Sequence, residues 1–140
     1  MFKVIIFVYF FISICGNFSF ADNDYKIVVK VNKRIISNYD IKKEIKYLSA
    51  LNPKILSISE EDIQKIAKKS LIREIIKDKE TSKYFKNIDQ SPDLTNPLNN
   101  IYTKLNITSE EEFVNYLAKF DLNLKDVRKK LAIELNWNSM

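Results

Sequence analysis

Three patterns of apolar and polar positions follow one another along this chain, and each predicts a different element. Residues 4–15 are apolar except for Ser13, with Lys3 before them and polar and small residues after them, ending Ser19-Phe20-Ala21. At about 1.5 Å per residue this run spans roughly 18 Å as a helix, well short of a ~30 Å bilayer core. A basic start, an apolar centre and small residues at Ser19 and Ala21 predict a secretory signal peptide over residues 1–21. Cleavage is expected between Ala21 and Asp22. Residues 25–31 are rich in β-branched side chains and partly alternate, which predicts a short strand. Asn32-Lys33-Arg34 supplies a turn, with Asn32 tolerating left-handed backbone angles, and Ile35-Ile36 makes a second, very short strand. Two strands alone are marginal in water, so the hairpin needs cover.

From Ser37 onward the period lengthens to that of a helix. Ser37-Asn38-Tyr39-Asp40 is a helix start, with Ser37 as cap and Asp40 reaching back. Ile41, Ile45, Leu48 and Leu51 recur at helical spacing until Asn52-Pro53 stops them. Ser59-Glu60-Glu61-Asp62 repeats the start signal and opens a long helix expected to run through Phe85. Its core face reads Ile63, Ile66, Ala67, Leu71 and Ile75, and Ile72, Ile76, Tyr84 and Phe85 add an adjoining face. So wide an apolar band predicts a central helix. Residues 91–96 form a loop, and Asn96-Pro97 place a cap and a proline at the first position of a short helix, residues 98–105. Thr108-Ser109-Glu110-Glu111 begins a fourth helix with Phe113, Tyr116, Leu117 and Phe120 apolar. Residues 121–123 break it, and a fifth runs from Leu124 to about Trp137 with Val127, Leu131 and Leu135 at helical spacing. The predicted fold is mainly α in the α+β sense: about five helices with a short N-terminal β-hairpin, one domain over residues 22–140.

Composition removes whole classes of chemistry. The chain has 140 residues, one Cys and one Gly, and no His; Cys15 and Gly16 both lie in the predicted leader. The remainder therefore cannot form a disulfide framework, a Cys/His zinc site, a Ser-His-Asp or Cys-His nucleophile system, or a glycine loop around phosphate. No cofactor and no metal is expected. Loss of Lys3 leaves 22 basic residues against 18 acidic, a net charge of +4 with the signs interspersed. Nucleic-acid binding, which needs a basic stripe, is not expected. Nor is stable membrane insertion after the leader is removed.

Candidate chemistry is correspondingly sparse. Glu60-Glu61-Asp62 and Glu110-Glu111-Glu112 fall in first helical turns, where acids complement the helix dipole. Lys42-Lys43 and Lys129-Lys130 read as solvated faces, and Trp137 as core. The surplus of aromatic residues stands out: Tyr47, Tyr84, Phe85, Tyr102, Phe113, Tyr116 and Phe120. Most belong in a core. Any that stay exposed form a contact surface, and Tyr47, Tyr84, Phe85, Tyr102, Phe113 and Tyr116 are the candidates. Self-association through the same surface stays open.

The order of elements resembles the N-terminal chaperone domain of the SurA family of periplasmic chaperones and peptidyl-prolyl isomerases. Residues 29–41, with Val31-Asn32, Ile35-Ile36-Ser37 and Asp40-Ile41, are similar to that family's opening. Leu71-Ile72-Arg73-Glu74-Ile75-Ile76 is similar to a segment of its long helix. Phe113, Leu117, Leu122, Val127-Arg128 and Leu131 are similar to its paired closing helices. Asp121 stands where the family often has Gly. The resemblance implies a peptide-binding domain of the trigger factor/SurA kind, located in the periplasm. It implies that unfolded outer-membrane protein precursors are the partners and that binding is independent of ATP. Relatives continue into parvulin isomerase domains and return a C-terminal segment to the first domain. Residues 22–140 contain no parvulin domain, so the chain is not expected to be an enzyme. Two alternatives stay open: the N-terminal fragment or a divergent member of a peptidyl-prolyl isomerase, and a non-chaperone envelope adaptor.

Overall fold

The computed structural model describes residues 25–85 and 94–140. The predicted leader and the cleavage position at Ala21 and Asp22 lie outside the described residues. Strands β1 (Ile27–Val31) and β2 (Arg34–Ser37) form a two-stranded antiparallel hairpin. Asn32 takes the left-handed turn position at φ 54°, which Asn accepts more readily than most side chains. Val29 pairs with Ile36, Lys30 with Ile35 and Val31 with Arg34, and an irregularity between Ile27 and Val29 leaves Val28 without a partner in β2.

Five α-helices follow: α1 (Asn38–Leu51), α2 (Glu60–Thr81), α3 (Thr95–Leu105), α4 (Glu110–Ala118) and α5 (Leu124–Asn138). The expected architecture, mainly helical with a short hairpin, is the one observed. Local chemistry explains the starts. The Asp40 amide donates to Ser37 Oγ at 3.2 Å and Asp40 Oδ2 accepts from the Ser37 amide at 2.7 Å, a reciprocal capping box. Ser59, Ser109 and Asn123 cap α2, α4 and α5, each side chain accepting from the amide three residues on. The acidic clusters at residues 60–62 and 110–112 sit in first turns as expected. A 3-10 turn, Pro53–Ser57, joins α1 to α2.

Helix boundaries differ from expectation in three places. α2 ends at Thr81, not Phe85: Thr81 Oγ1 donates to the Lys77 carbonyl at 2.8 Å, and the amides of Tyr84 and Phe85 both donate to the Thr81 carbonyl at 3.0 Å. Thr and Ser side chains offer the backbone such alternatives to continued helix. α3 begins at Thr95, so Pro97 occupies the third helical position, not the first. Its missing N–H is still one the first turn would leave unpaired. α4 ends at Ala118, and the chain turns through Asp121 at φ 55° so that the Leu122 amide reaches the Leu117 carbonyl at 3.1 Å.

The long α2 packs against both α1 and α5. Two apolar clusters result. One gathers Phe113, Leu117, Val127 and Ala132 with Ala50, Leu98, Ile107 and Leu122, joining α3, α4 and α5 to the end of α1. The other sets Ile36 of β2 and Ile41 of α1 on Ala67 of α2, ringed by Val29, Val31, Ile45, Leu48, Leu71, Ile72 and Ile75. Arg34 Nη1 reaches Asp78 Oδ2 at 2.7 Å and ties the hairpin to the far end of α2.

Candidate functional site

The aromatic residues singled out above separate into three environments. Tyr102, Phe113, Tyr116 and Phe120 form a chain of rings: Tyr102 meets Phe113 edge-on at 5.0 Å, Phe113 lies parallel to Tyr116 at 6.5 Å, and Tyr116 meets Phe120 at 5.3 Å. Phe113 is wholly buried at their centre, so it offers no contact surface in this fold. Tyr102 and Tyr116 are half-buried beside it, and the Tyr116 hydroxyl donates to the Ala50 carbonyl at 2.8 Å. Burial raises the pKa of both phenols. Tyr84 is 70% exposed in the turn after α2, and Phe85 is half-buried. Tyr47 belongs to a third environment, a polar node.

That node joins three helices. Lys130 Nζ of α5 lies 2.6 Å from Glu44 Oε2 of α1 and is also bonded to Glu74 Oε2 of α2. Ser70 Oγ of α2 donates to Glu44 Oε1 at 2.7 Å, and Lys130 Nζ stands 4.6 Å from the centre of the Tyr47 ring. The Glu44 side chain is only 2% exposed. Burial pulls the pKa of Lys130 down, but Glu74 and Glu44 outweigh it, so the ammonium is held above the ordinary lysine range. Burial, then the charges of Glu44, Glu74 and Glu134, push the Tyr47 phenol well above its usual value. General acid–base work at neutral pH calls for a group poised near 7. Lys130 stays charged and Tyr47 stays protonated, so these two residues fasten helices instead of shuttling protons. Among the described residues there is no cluster of three or more metal-ligating side chains, and no helix long and apolar enough to cross a membrane.

The node corrects the expectation that Lys129-Lys130 is a solvated face: Lys129 is exposed, whereas Lys130 points inward. The sequence carried a signal for it. Glu44 interrupts the stripe of Ile41, Ile45 and Leu48, and Lys130 sits beside Val127 and Leu131, so each places a charge within the apolar band of its helix. Trp137, expected in the core, is 38% exposed, with Lys77 Nζ at 5.7 Å from its ring. Ile66 and Ile76 likewise lie partly in solvent.

Five exposed apolar side chains lie close together in sequence, outside the candidate aromatic set. Tyr25 and Tyr39 are 68% and 64% exposed, and Ile27, Val28 and Ile35 are exposed with them. All five lie within 15 residues of one another, in the hairpin and the first turn of α1. The register explains Ile35. Val29, Val31 and Ile36 turn inward to the second cluster, while Lys30 and Ile35 pair on the opposite face, which nothing covers among the described residues. Both outer edges of the two-stranded sheet likewise lack a neighbouring strand there. No protein-family model matches the chain, and no match is found among curated proteins or solved structures.

Proposed function

We propose that this chain is an ATP-independent holding chaperone of the periplasm, which binds unfolded outer-membrane protein precursors through exposed apolar surface and does not catalyse a reaction. The observation that carries the reading is the hairpin: Tyr25, Ile27, Val28, Ile35 and Tyr39 are left in solvent on a sheet with open edges. Exposed apolar side chains offer area that a partner can bury. An open strand edge accepts an extended backbone whatever its side chains. Together they suit a partner that is unfolded, apolar and variable in sequence. The leader-like pattern of residues 1–21 and the resemblance to SurA chaperones support the same compartment and the same class of partner.

The deciding experiment is light scattering from an unfolded porin-like client diluted out of denaturant, with and without the protein. Protection is expected at low salt and at about 0.3 M salt, because apolar burial is not screened whereas exposed charge pairs are, beyond roughly 10 Å or less. Failure to protect at either salt rejects the reading. A protease-coupled proline-peptide assay is expected to show no acceleration over background.

A further inference from the structure

The hairpin, α1 and α2 meet around a recess of about 350 Å³ with Val28, Ile41 and Ile45 among its lining residues. That volume is within the range of about 300–1,000 Å³ typical of ligand sites. Lys42 of α1 and Lys68 of α2 also line it, and neither is in a salt bridge among the described residues. Lys65 and Glu61 line it as well and pair with each other at 2.6 Å, so the recess keeps a positive balance through Lys42 and Lys68. Val28 belongs both to the recess and to the strand edge, standing at the irregularity where it faces no residue of β2.

We propose that this recess is a docking site for an extended peptide segment in which an apolar side chain is neighboured by a carboxylate. The inference rests on the holding-chaperone reading and names the client chemistry at one place in it. The segment lies along the open edge of β1, its apolar side chain enters between Val28, Ile41 and Ile45, and its carboxylate meets Lys42 and Lys68. The groove on the other side of α2 provides a contrast. Among the described residues it also carries two cations outside any salt bridge, Lys69 and Arg73, but no strand lines it. Charge alone would favour both grooves; charge beside an apolar floor and a strand edge favours the first.

The test is fluorescence anisotropy with labelled peptides of alternating Val and Thr that carry one central Glu, Gln or Lys. The Glu peptide is expected to bind about three- to tenfold more tightly than the Gln peptide, the size that two solvent-exposed charge pairs support. The double variant Lys42→Glu/Lys68→Glu, which alters one exposed and one half-buried side chain, is expected to keep the melting temperature of the parent within a few degrees, to lose that preference and to favour the Lys peptide. Lys69→Glu/Arg73→Glu makes the same change in net charge and is expected to leave the preference within about twofold. Equal affinities for the Glu and Gln peptides, or equal losses in both double variants, would overturn the docking site. So would a Lys42→Glu/Lys68→Glu effect confined to retention on phosphatidylglycerol vesicles, which would make the recess a lipid contact. Client aggregation distinguishes the recess from the holding role. Suppression without peptide discrimination removes the recess and keeps the holding role, whereas neither suppression nor peptide binding removes both.

Discussion

The two apolar clusters of this domain are built from similar side chains and come to opposite ends. Around Phe113, helices α3, α4 and α5 and the end of α1 close from several sides, and Phe113, Leu117, Val127 and Ala132 are completely buried. Around Ile36, α1 and α2 cover only the inner face of a two-stranded sheet, and the residues on its other face and flanks stay in water. A helix can bury one stripe and still be satisfied. A two-stranded sheet has two faces and two edges, and a single helical layer covers one face. The first cluster closes on itself, and the second leaves apolar side chains beside it in water.

The largest expected effect separates these roles. Phe113→Ala removes a ring that touches both Tyr102 and Tyr116, and large-to-small changes of this kind cost about 3–5 kcal/mol. Ile35→Ala, on the open face of the hairpin, is expected to change stability by no more than about 0.5 kcal/mol. Urea denaturation measures both. Client protection is expected to show the reverse order once protein concentration is corrected for folded fraction, with Ile35→Ala/Tyr39→Ser losing more than any folded core variant. Similar urea midpoints for Phe113→Ala and Ile35→Ala would erase the distinction between the clusters.

The polar node lies between the two clusters and is expected to come next. Lys130→Met leaves Glu44 buried with Ser70 but without its cation, and removing one partner of a buried pair costs about 3–5 kcal/mol. The lower end applies here, because the Lys130 side chain keeps 20% of its exposure. Adding Glu44→Gln is expected to recover much of the loss, since the buried charge is then gone. No recovery would mean that packing of the lysine stem, not charge, sets the cost.

The same node predicts loss of stability in alkali. Lys130 and Tyr47 both have folded-state values raised above their unfolded ones, near about 10.4 and 10. The stability linked to each is therefore fully present below pH 10 and lost as pH rises above it, because the folded state holds protons the unfolded state has released. Melting temperature is expected to be flat from about pH 7 to 9 and to fall beyond about pH 10, and Tyr47→Phe is expected to shallow the fall. Asp126, lowered chiefly by its hydrogen bond from Lys43, acts in the opposite direction: its contribution is lost as pH falls below the ordinary aspartate range. That effect is expected to be small, since the pair is substantially exposed.

The order and type of the elements were legible because each start carries its own local chemistry. Ser37, Ser59 and Ser109 cap the helices they were expected to cap, and Asn32 turns the hairpin. The end of α2 was not, because Tyr84 and Phe85 continue the apolar spacing while Thr81 redirects the backbone hydrogen bonds. The candidate surface was only partly legible. Aromatic content says how much apolar area exists, not which neighbours cover it. Phe113 is buried by a helix that starts at Thr95, and Tyr39 is bare because its position in the first turn of α1 faces neither cluster. Glu44 and Lys130 were hidden for a related reason: helical spacing placed each near an apolar band, but only the packing of α1, α2 and α5 brings them together.

The smallest expected effect concerns how firmly the open cluster is held. Arg34 Nη1 meets Asp78 Oδ2 at 2.7 Å, with side chains 56% and 14% exposed. A pair this open is worth about 0.2–1 kcal/mol, little against a total near 5–15 kcal/mol. Its position gives it local weight. Besides the packing of Val29, Val31 and Ile36, it is the described ion pair that links the hairpin to α2. Local opening of such an element costs less than global unfolding. Arg34→Met keeps the length of the side chain and removes the charge. Amide hydrogen exchange in residues 27–37 is expected to rise about two- to fivefold in this variant, while exchange around Phe113 and Leu117 and the melting temperature stay unchanged. A uniform rise across both regions would mean that hairpin and helices open together, and the two clusters would then be one cooperative unit.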